Sequence, residues 1–214
     1  MKPVLYDYHR SSACYRVRIA LNLKGIDHEA IFVNLLEGEH QGEAFRARNP
    51  QGFVPLLEVG ELRLTQSLAI IGWLEAVQPE PRLLPADPAD AAFVRALALT
   101  VACDIHPLNN VRVLRRLSGL GIDQKARDDW YRHWVAEGFA ALEALAAPRA
   151  GRFLFGDEPT LADVCLVPQM YNARRFDAPL GDYPTLVAAA AAAGRIEAFA
   201  AAHPDRVAPA AATG

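Results

Sequence analysis

Cysteine is scarce in this chain: three in 214 residues, at positions 14, 103 and 165, with no CxxC pair. An odd number at wide spacing builds no disulfide framework and reads as reduced thiols. The six histidines form no HxxxH or HExxH pattern, so no metal site is expected. No apolar run reaches the roughly 20 residues a spanning helix needs. The opening MKPVLYDYHR has no apolar h-region, so a secretory leader is not expected either. A charge excess is also missing: the formal net charge is -3, which gives no electrostatic ground for nucleic acid or a membrane as partner. These absences predict a metal-free, cytoplasmic protein. What is present is ordinary globular composition, 52% hydrophobic and 22% charged, in a length that suits one large domain or two compact ones.

Val4 to Tyr8 reads as a short strand, and Ser11-Ser12 offers a helix N-cap. Apolar Val17, Ala20, Leu21 and Leu23 keep helical spacing until Gly25 stops it. Glu29 to Val33 reads as a second strand, giving a βαβ opening. After a short helical piece near 43–48, two apolar runs, 56–59 and 62–64, flank Gly60-Glu61, which predicts a tight hairpin. Ser67 is read as the cap of a helix over 68–77, ended by Pro79 and Pro81. The order βαβ–ββα is a compact α+β unit. The proline-rich stretch Pro79 to Pro88 is read as a connector, so the expected domains are 1–82 and 87–214. The second is Ala- and Leu-rich and reads as all-α. It carries long helices over 89–117 and 124–147, one from near Leu161, shorter ones after Pro184 and Gly194, and a loose tail from Pro204.

Three features of the first domain suit chemistry. His9-Arg10-Ser11-Ser12 sits at a strand-to-helix turn, where unpaired N–H groups and a partial positive charge favour an anion such as a thiolate. A hydroxyl there can donate to that thiolate and lower its pKa. Plain N-capping accounts for the same serines. Val54-Pro55 precedes the hairpin; a cis bond would turn the Val54 backbone toward an extended peptide ligand, while a trans loop proline is the plainer alternative. The Ser67 hydroxyl and N–H suit a carboxylate, with Gln66 beside an ammonium or amide, and capping is again the alternative.

With these features in one order, the chain resembles the zeta class of glutathione transferases over nearly its whole length. The resemblance rests on YxYxRSSAxYRVRIALNLKG at 6–25, NPQGFVPLL at 49–57 and QSLAII at 66–71. It continues with CDIHPLNNVRVL at 103–114, GDEPTLADVCLVPQ at 156–169 and YNARRF at 171–176. VP followed by QS is shared by many glutathione transferases, whereas RSS with RVRIAL, and IHPLNN, are more specific to this class.

The resemblance implies a thioredoxin-like α+β domain with a cis Pro55, an all-α second domain, a homodimer, and glutathione as cofactor. It implies that glutathione is held by Ser11, Ser12, Ala13, Cys14, Tyr15, Arg16, His40, Val54, Gln66 and Ser67. His106, Asn110, Val111 and Arg112 would reach it from the second domain. Ser11 would hydrogen-bond the glutathione sulfur, with Ser12 beside it. The implied reaction is thiolate addition to the cis double bond of a small diacid, rotation, and elimination to the trans isomer, as from maleylacetoacetate to fumarylacetoacetate in aromatic amino acid catabolism. Many eukaryotic members carry SSC where this chain has Ser11-Ser12-Ala13. Cys14 is displaced by one residue, about 100° around a helix, so it is read as a buried thiol and not as catalytic.

In the second domain His106, Asn109 and Asn110 are spaced for one helix face, with Pro107 expected to kink that helix. A diacid needs cationic clamps, and arginine suits a carboxylate. Arg10 beside the thiol site, and Arg175, which matches the class's substrate-side arginine, are the candidates, together with His106. For Arg175 a solvated helix-end charge is the alternative, and Arg174 stands beside it. Thr160 to Asp163 is read as a structural capping box. The same pocket would serve a maleylpyruvate isomerase or a transferase acting on small electrophilic acids. A non-enzymatic interaction protein is the rival from another class, and the joint presence of Arg10, Ser11, Gln66, Ser67 and His106 argues against it.

Overall fold

The structure is a computed structural model that describes residues 2–209. In β1 (Val4–Asp7), side chains alternate, so Val4 and Tyr6 share one face and Leu5 and Asp7 the other. Helix α1 (Ser12–Leu23) follows from the cap at Ser11, and β2 (Glu29–Phe32) pairs parallel to β1. A single 3-10 turn (Glu39–Gln41) and α2 (Glu43–Arg46) lead to β3 (Leu56–Val59), antiparallel to β1. β4 (Leu62–Thr65) closes the hairpin, and Gly60, at φ 61°, supplies the positive dihedral that the two-residue turn requires. The sheet order is β2-β1-β3-β4, and α3 (Ser67–Val77) packs on α1. The expected βαβ–ββα order therefore holds. One detail differs: Gln66 occupies the cap position of α3, and Ser67 is its first residue. Tyr6, Tyr8, Cys14, Val33, Phe45, Val54 and Leu56 form a core cluster in which Tyr6 and Leu56 are register partners. Leu5 and Leu57, register partners on the opposite face from Tyr6 and Leu56, are fully buried.

The second unit opens with α4 (Pro88–Leu99), where the Asp87 carboxylate accepts the Ala89 and Asp90 N–H groups and Pro88 fills the first helical position. The single helix expected over 89–117 is broken. A π turn spans Thr100–Ile105, residues 106–110 form a turn, and α5 (Val111–Gly119) restarts from a new cap at Asn110. Pro107 is the physical cause, since it offers no N–H to the helical ladder and its ring crowds the carbonyl four residues back. Helices α6 (Gln124–Ala146), α7 (Leu161–Arg175) and α8 (Pro184–Ala193) complete this unit. Gly138 of α6 lies against Ile105: a Cβ there would stand 2.2 Å from Ile105 Cγ1. At the start of α7 the buried Asp163 carboxylate accepts from the Thr160 N–H, the Thr160 hydroxyl and the Leu154 N–H, at 2.8, 3.0 and 2.9 Å. Its oxygens are committed to capping, which is a structural role.

Beyond α8 the chain returns to the first unit. Helix α9 (Glu197–Ala201) packs on α1, buries Phe199, and accepts the Asn22 Nδ2 hydrogen bond on the Ala198 carbonyl at 2.9 Å. The short α10 (Pro204–Val207) follows, with Pro204 buried. The two compact units are thus Met1–Arg82 with Ile196–Gly214, and Leu83–Arg195. The expected second domain, 87–214, gives up its last stretch, and the tail read as loose from Pro204 is helical to Val207; its end, 210–214, lies outside the described residues. Helical, alanine-rich composition runs across the change of unit, so composition alone carries no mark of it.

Candidate active site

The turn from β1 into α1 is built by Ser11. Its backbone is extended, its N–H donates to the Tyr8 carbonyl at 2.8 Å, and its Oγ accepts the Cys14 N–H at 3.3 Å. A hydroxyl that accepts in this way keeps its own proton to donate. Ser11 and Ala13 are half-buried, Ser12 is buried, and Arg10 is exposed. Cys14 is fully buried, and burial first, then the charge of Asp7, push its thiol far above the ordinary range. It is a protonated core thiol. Tyr15 is likewise turned inward, edge-on to His203 at 6.1 Å between ring centroids. Cys14 and Tyr15, expected among the ligand-holding residues, therefore turn their side chains away from a ligand, and their N–H groups donate to Ser11 Oγ and to the Ser11 carbonyl. The reason is the helical period, which sends these two side chains toward the core.

Arg16 is 2% exposed, and its Nη1 donates to Ser67 Oγ at 3.4 Å. Its Nε and Nη2 have no hydrogen-bond partner among the described residues. A buried guanidinium with idle donors is costly unless an anion meets it. With the N-terminus of α3 beside it, this pair suits a carboxylate. Gln66 holds a φ of 68° and ψ of 116°, a strained backbone for a residue other than glycine, worth about 1–3 kcal/mol. Its side-chain amide donates to Gln51 Oε1 at 2.9 Å.

The Val54–Pro55 bond is cis, as the resemblance implied, and so is Glu80–Pro81, which sequence reading did not single out. The sheet ladder begins at Leu56, so the Val54 N–H and C=O are not engaged by β1 or β4. The loop before it is organised by Asn49, whose Nδ2 donates to the Phe53 carbonyl at 2.7 Å and whose Oδ1 accepts the Gln51 N–H at 3.1 Å. Gly52, at φ 62°, accepts a hydrogen bond from Gln41 Nε2 on its carbonyl at 2.9 Å. A Cβ at Gly52 would stand 2.9 Å from the His40 carbonyl oxygen, so only glycine lets the turn carrying buried His40 approach. The supporting role of Asn49, Gln51 and Gly52 depends on partners that local sequence does not reveal.

In the second unit, His106, Asn109 and Asn110 do not share a helix face, because residues 106–110 are a turn. Asn109 Nδ2 donates to the Tyr131 carbonyl at 3.2 Å and Trp130 Nε1 to the Leu108 carbonyl at 2.9 Å, which ties the turn to α6. Asn110 Oδ1 accepts the Arg112 N–H at 3.1 Å as the cap of α5; Val111 and Arg112 are exposed, and His106 is half-buried. Arg175 is exposed at the end of α7, with Nη1 donating to Asn172 Oδ1 at 3.3 Å. Its guanidinium lies over the rings of Tyr171 and Phe176 at 5.8 and 5.6 Å. Phe176 in turn stacks on Tyr131 at 3.7 Å, and burial pushes the Tyr131 phenol up to about 12. Arg175 is thus set against two rings.

Residues 5–82 match the glutathione S-transferase N-terminal domain model, and 128–204 match the C-terminal domain model. The holo structure of a maleylpyruvate isomerase, described as a bacterial zeta-class glutathione S-transferase, superposes with a TM-score of 0.93 at 50% identity, covering 95% of this chain and 97% of that one. The chain belongs to the zeta class of the glutathione S-transferase family. Maleylacetoacetate isomerase of Rhizobium meliloti is 51% identical over 96% of this chain and 98% of its own length. A maleylacetoacetate isomerase of Anaeromyxobacter dehalogenans, with glutathione bound in its active site, has a TM-score of 0.89 at 46% identity, covering 98% of each chain. In this glutathione transferase no helix among the described residues is long and apolar enough to cross a membrane, and no cluster of His, Cys, Asp or Glu among them is arranged to hold a metal.

Proposed function

We propose that the protein is a glutathione-dependent cis–trans isomerase of small unsaturated diacids, with maleylacetoacetate as substrate and fumarylacetoacetate as product. The observation that carries the reading is the half-buried Ser11 hydroxyl at the cap of α1 with exposed Arg10 next to it. This sets a donor for sulfur beside a clamp for a carboxylate. The residues of the first unit fit glutathione: Arg16 and Ser67 suit a carboxylate, and the unengaged Val54 main chain suits a peptide. Bound glutathione supplies the thiolate nucleophile and is regenerated in each cycle.

Ser11 donates a hydrogen bond to the sulfur and, with the partial positive charge at the start of α1, favours its charged form. Arg10 holds one substrate carboxylate. Arg175 and His106 are proposed to bind the polar groups of the diacid, and Asn110, Val111 and Arg112 to contribute to glutathione binding. The thiolate adds to the double bond and leaves a single bond, which rotates while the carboxylate is held; elimination of the thiolate then restores the double bond in the trans form and frees glutathione. A cytoplasmic homodimer belongs to the same proposal.

Maleylpyruvate is the second candidate substrate, favoured by the near-equal identity to isomerases named for either diacid. The test is an assay of both diacids with glutathione, with S-methylglutathione, and with no thiol. Only free glutathione should support turnover. Full activity without thiol overturns the reading, and faster turnover of maleylpyruvate replaces the preferred substrate.

A further inference from the structure

Arg18 is 3% exposed, and every nitrogen of its guanidinium is engaged. Nη1 pairs with Asp7 Oδ1 at 2.6 Å, at the end of β1. Nη2 donates to the His9 carbonyl at 3.0 Å, in the turn that leads directly into Arg10 and Ser11. Nε donates to the Ala202 carbonyl at 3.1 Å, just past α9. The Tyr15 ring faces the same guanidinium at 5.3 Å. One rigid group thus joins the end of a strand, the turn before the reactive serine, and the returning C-terminal segment.

A guanidinium is planar and its donors form a fixed fork, so holding two of its acceptors orients the third. Asp7 and Ala202 hold Arg18 from two sides, and the His9 carbonyl is what their hold places. That carbonyl lies two residues before Ser11 and sets the direction from which the backbone enters the cap. The same C-terminal segment is also held by Asn22 on the Ala198 carbonyl, a contact that does not involve the turn.

We infer that Arg18 is a positioning residue for the Arg10–Ser11 turn, and that the C-terminal segment, through the Ala202 carbonyl, is the outer anchor of that arrangement. The inference rests on the catalytic reading of Arg10 and Ser11. Arg18 touches neither thiol nor diacid; it acts through the turn.

The experiment compares Arg18→Lys with Asn22→Ala in the full-length protein, each checked for fold by circular dichroism and thermal melting. A lysine keeps the charge beside Asp7, but a single ammonium does not reproduce a planar fork to three acceptors. Small misplacement of a reacting group is costly, so kcat of Arg18→Lys should fall roughly 10- to 100-fold. Its KM for glutathione should change little, because the peptide is gripped at Val54 and Ser67, and glutathione should still raise its melting temperature. Asn22→Ala should melt lower yet keep kcat within about twofold. Asp7→Asn, which keeps an oxygen acceptor but removes the charge, should show a smaller fall in kcat with the same unchanged KM, and it carries the test if Arg18→Lys does not fold. Wild-type kcat in a folded Arg18→Lys, or equal loss of kcat in Arg18→Lys and Asn22→Ala, overturns the inference. Absence of thiol-dependent isomerisation in the wild type overturns the functional reading instead.

Discussion

Ser11 Oγ accepts the backbone N–H of Cys14 at 3.3 Å, and the two side chains end in opposite chemical states. The serine is half-buried with a proton to give, while the thiol three residues on is fully buried and held protonated. Ser11→Ala should lower kcat roughly 10- to 100-fold, matching the loss of about 1.5–3 kcal/mol for a hydrogen bond to a charged group. The rise of kcat with pH should move to higher pH, because the bound thiol loses a donor that favoured its charged form. Loss of the cap should also lower the melting temperature. Cys14→Ala should keep kcat. Alkylation of the native protein, read by mass spectrometry, should modify exposed Cys103 and spare buried Cys14 and Cys165.

Arg10 is exposed one residue before the cap, outside the Arg16–Ser67 pair that suits the carboxylate of the cofactor. Arg10→Leu should reduce kcat/KM for the diacid about tenfold to a hundredfold, with glutathione affinity nearly unchanged. Steady-state kinetics with each substrate varied in turn separates the two effects. A matching loss of glutathione affinity would remove Arg10 from the substrate side.

Glu58 on β3 gathers Arg48, Arg63 and the Tyr6 hydroxyl around one carboxylate, at 2.8, 3.1 and 3.0 Å. Burial pushes its pKa up, but the hydrogen bonds from Arg48 and Tyr6 and the charges of both arginines outweigh it, so the net shift is downward. A depressed carboxylate contributes stability that is present above its unfolded value, about 4.3, and is lost as the pH falls through the lower folded value. Glu58→Gln should therefore melt a few degrees below wild type at pH 7. The gap should close as the pH is taken well below about 4. Paired melting curves from pH 7 to pH 3 check the sign, and a gap that widens on acidification contradicts it.

Gly138 leaves room for Ile105, which is fully buried at the end of the π turn. Alanine there gains about 1 kcal/mol of helix propensity but overpacks a filled site, which costs about 1–3 kcal/mol. Gly138→Ala should be destabilised on balance, and adding Ile105→Val should recover part of the loss. Denaturant unfolding of the single and double variants measures this coupling.

The parts of this protein legible in its sequence are those set by short-range chemistry. The strand β1, the cap at Ser11, the Gly60-Glu61 hairpin and the start of α7 each rest on a period, a cap or a turn within a few residues. The reading of Cys14 as a core thiol also held, because a one-residue offset on a helix is a local fact. Readings that depended on more than a few neighbouring residues went wrong, among them the shared helix face of His106, Asn109 and Asn110 and the cap of α3 read at Ser67. A kink at Pro107 is legible in the segment 89–117, but the full break, with a π turn before the proline and a new cap at Asn110, is not. The packing of the last helices is not legible either: their composition matches the all-α domain, and the C-terminal domain model runs over them to 204, yet α9 packs on α1.

The sequence by itself determined the order of elements, the capped turn that presents Ser11, and membership of the class, since local motifs and their succession suffice for these. Only the tertiary structure decided which acceptors the buried arginines of α1 meet. Arg16 meets Ser67 across 51 residues, and Arg18 meets Ala202 across 184. The physical reason is that a buried guanidinium takes its role from the acceptors that close around it, and those acceptors are carried to it by the fold.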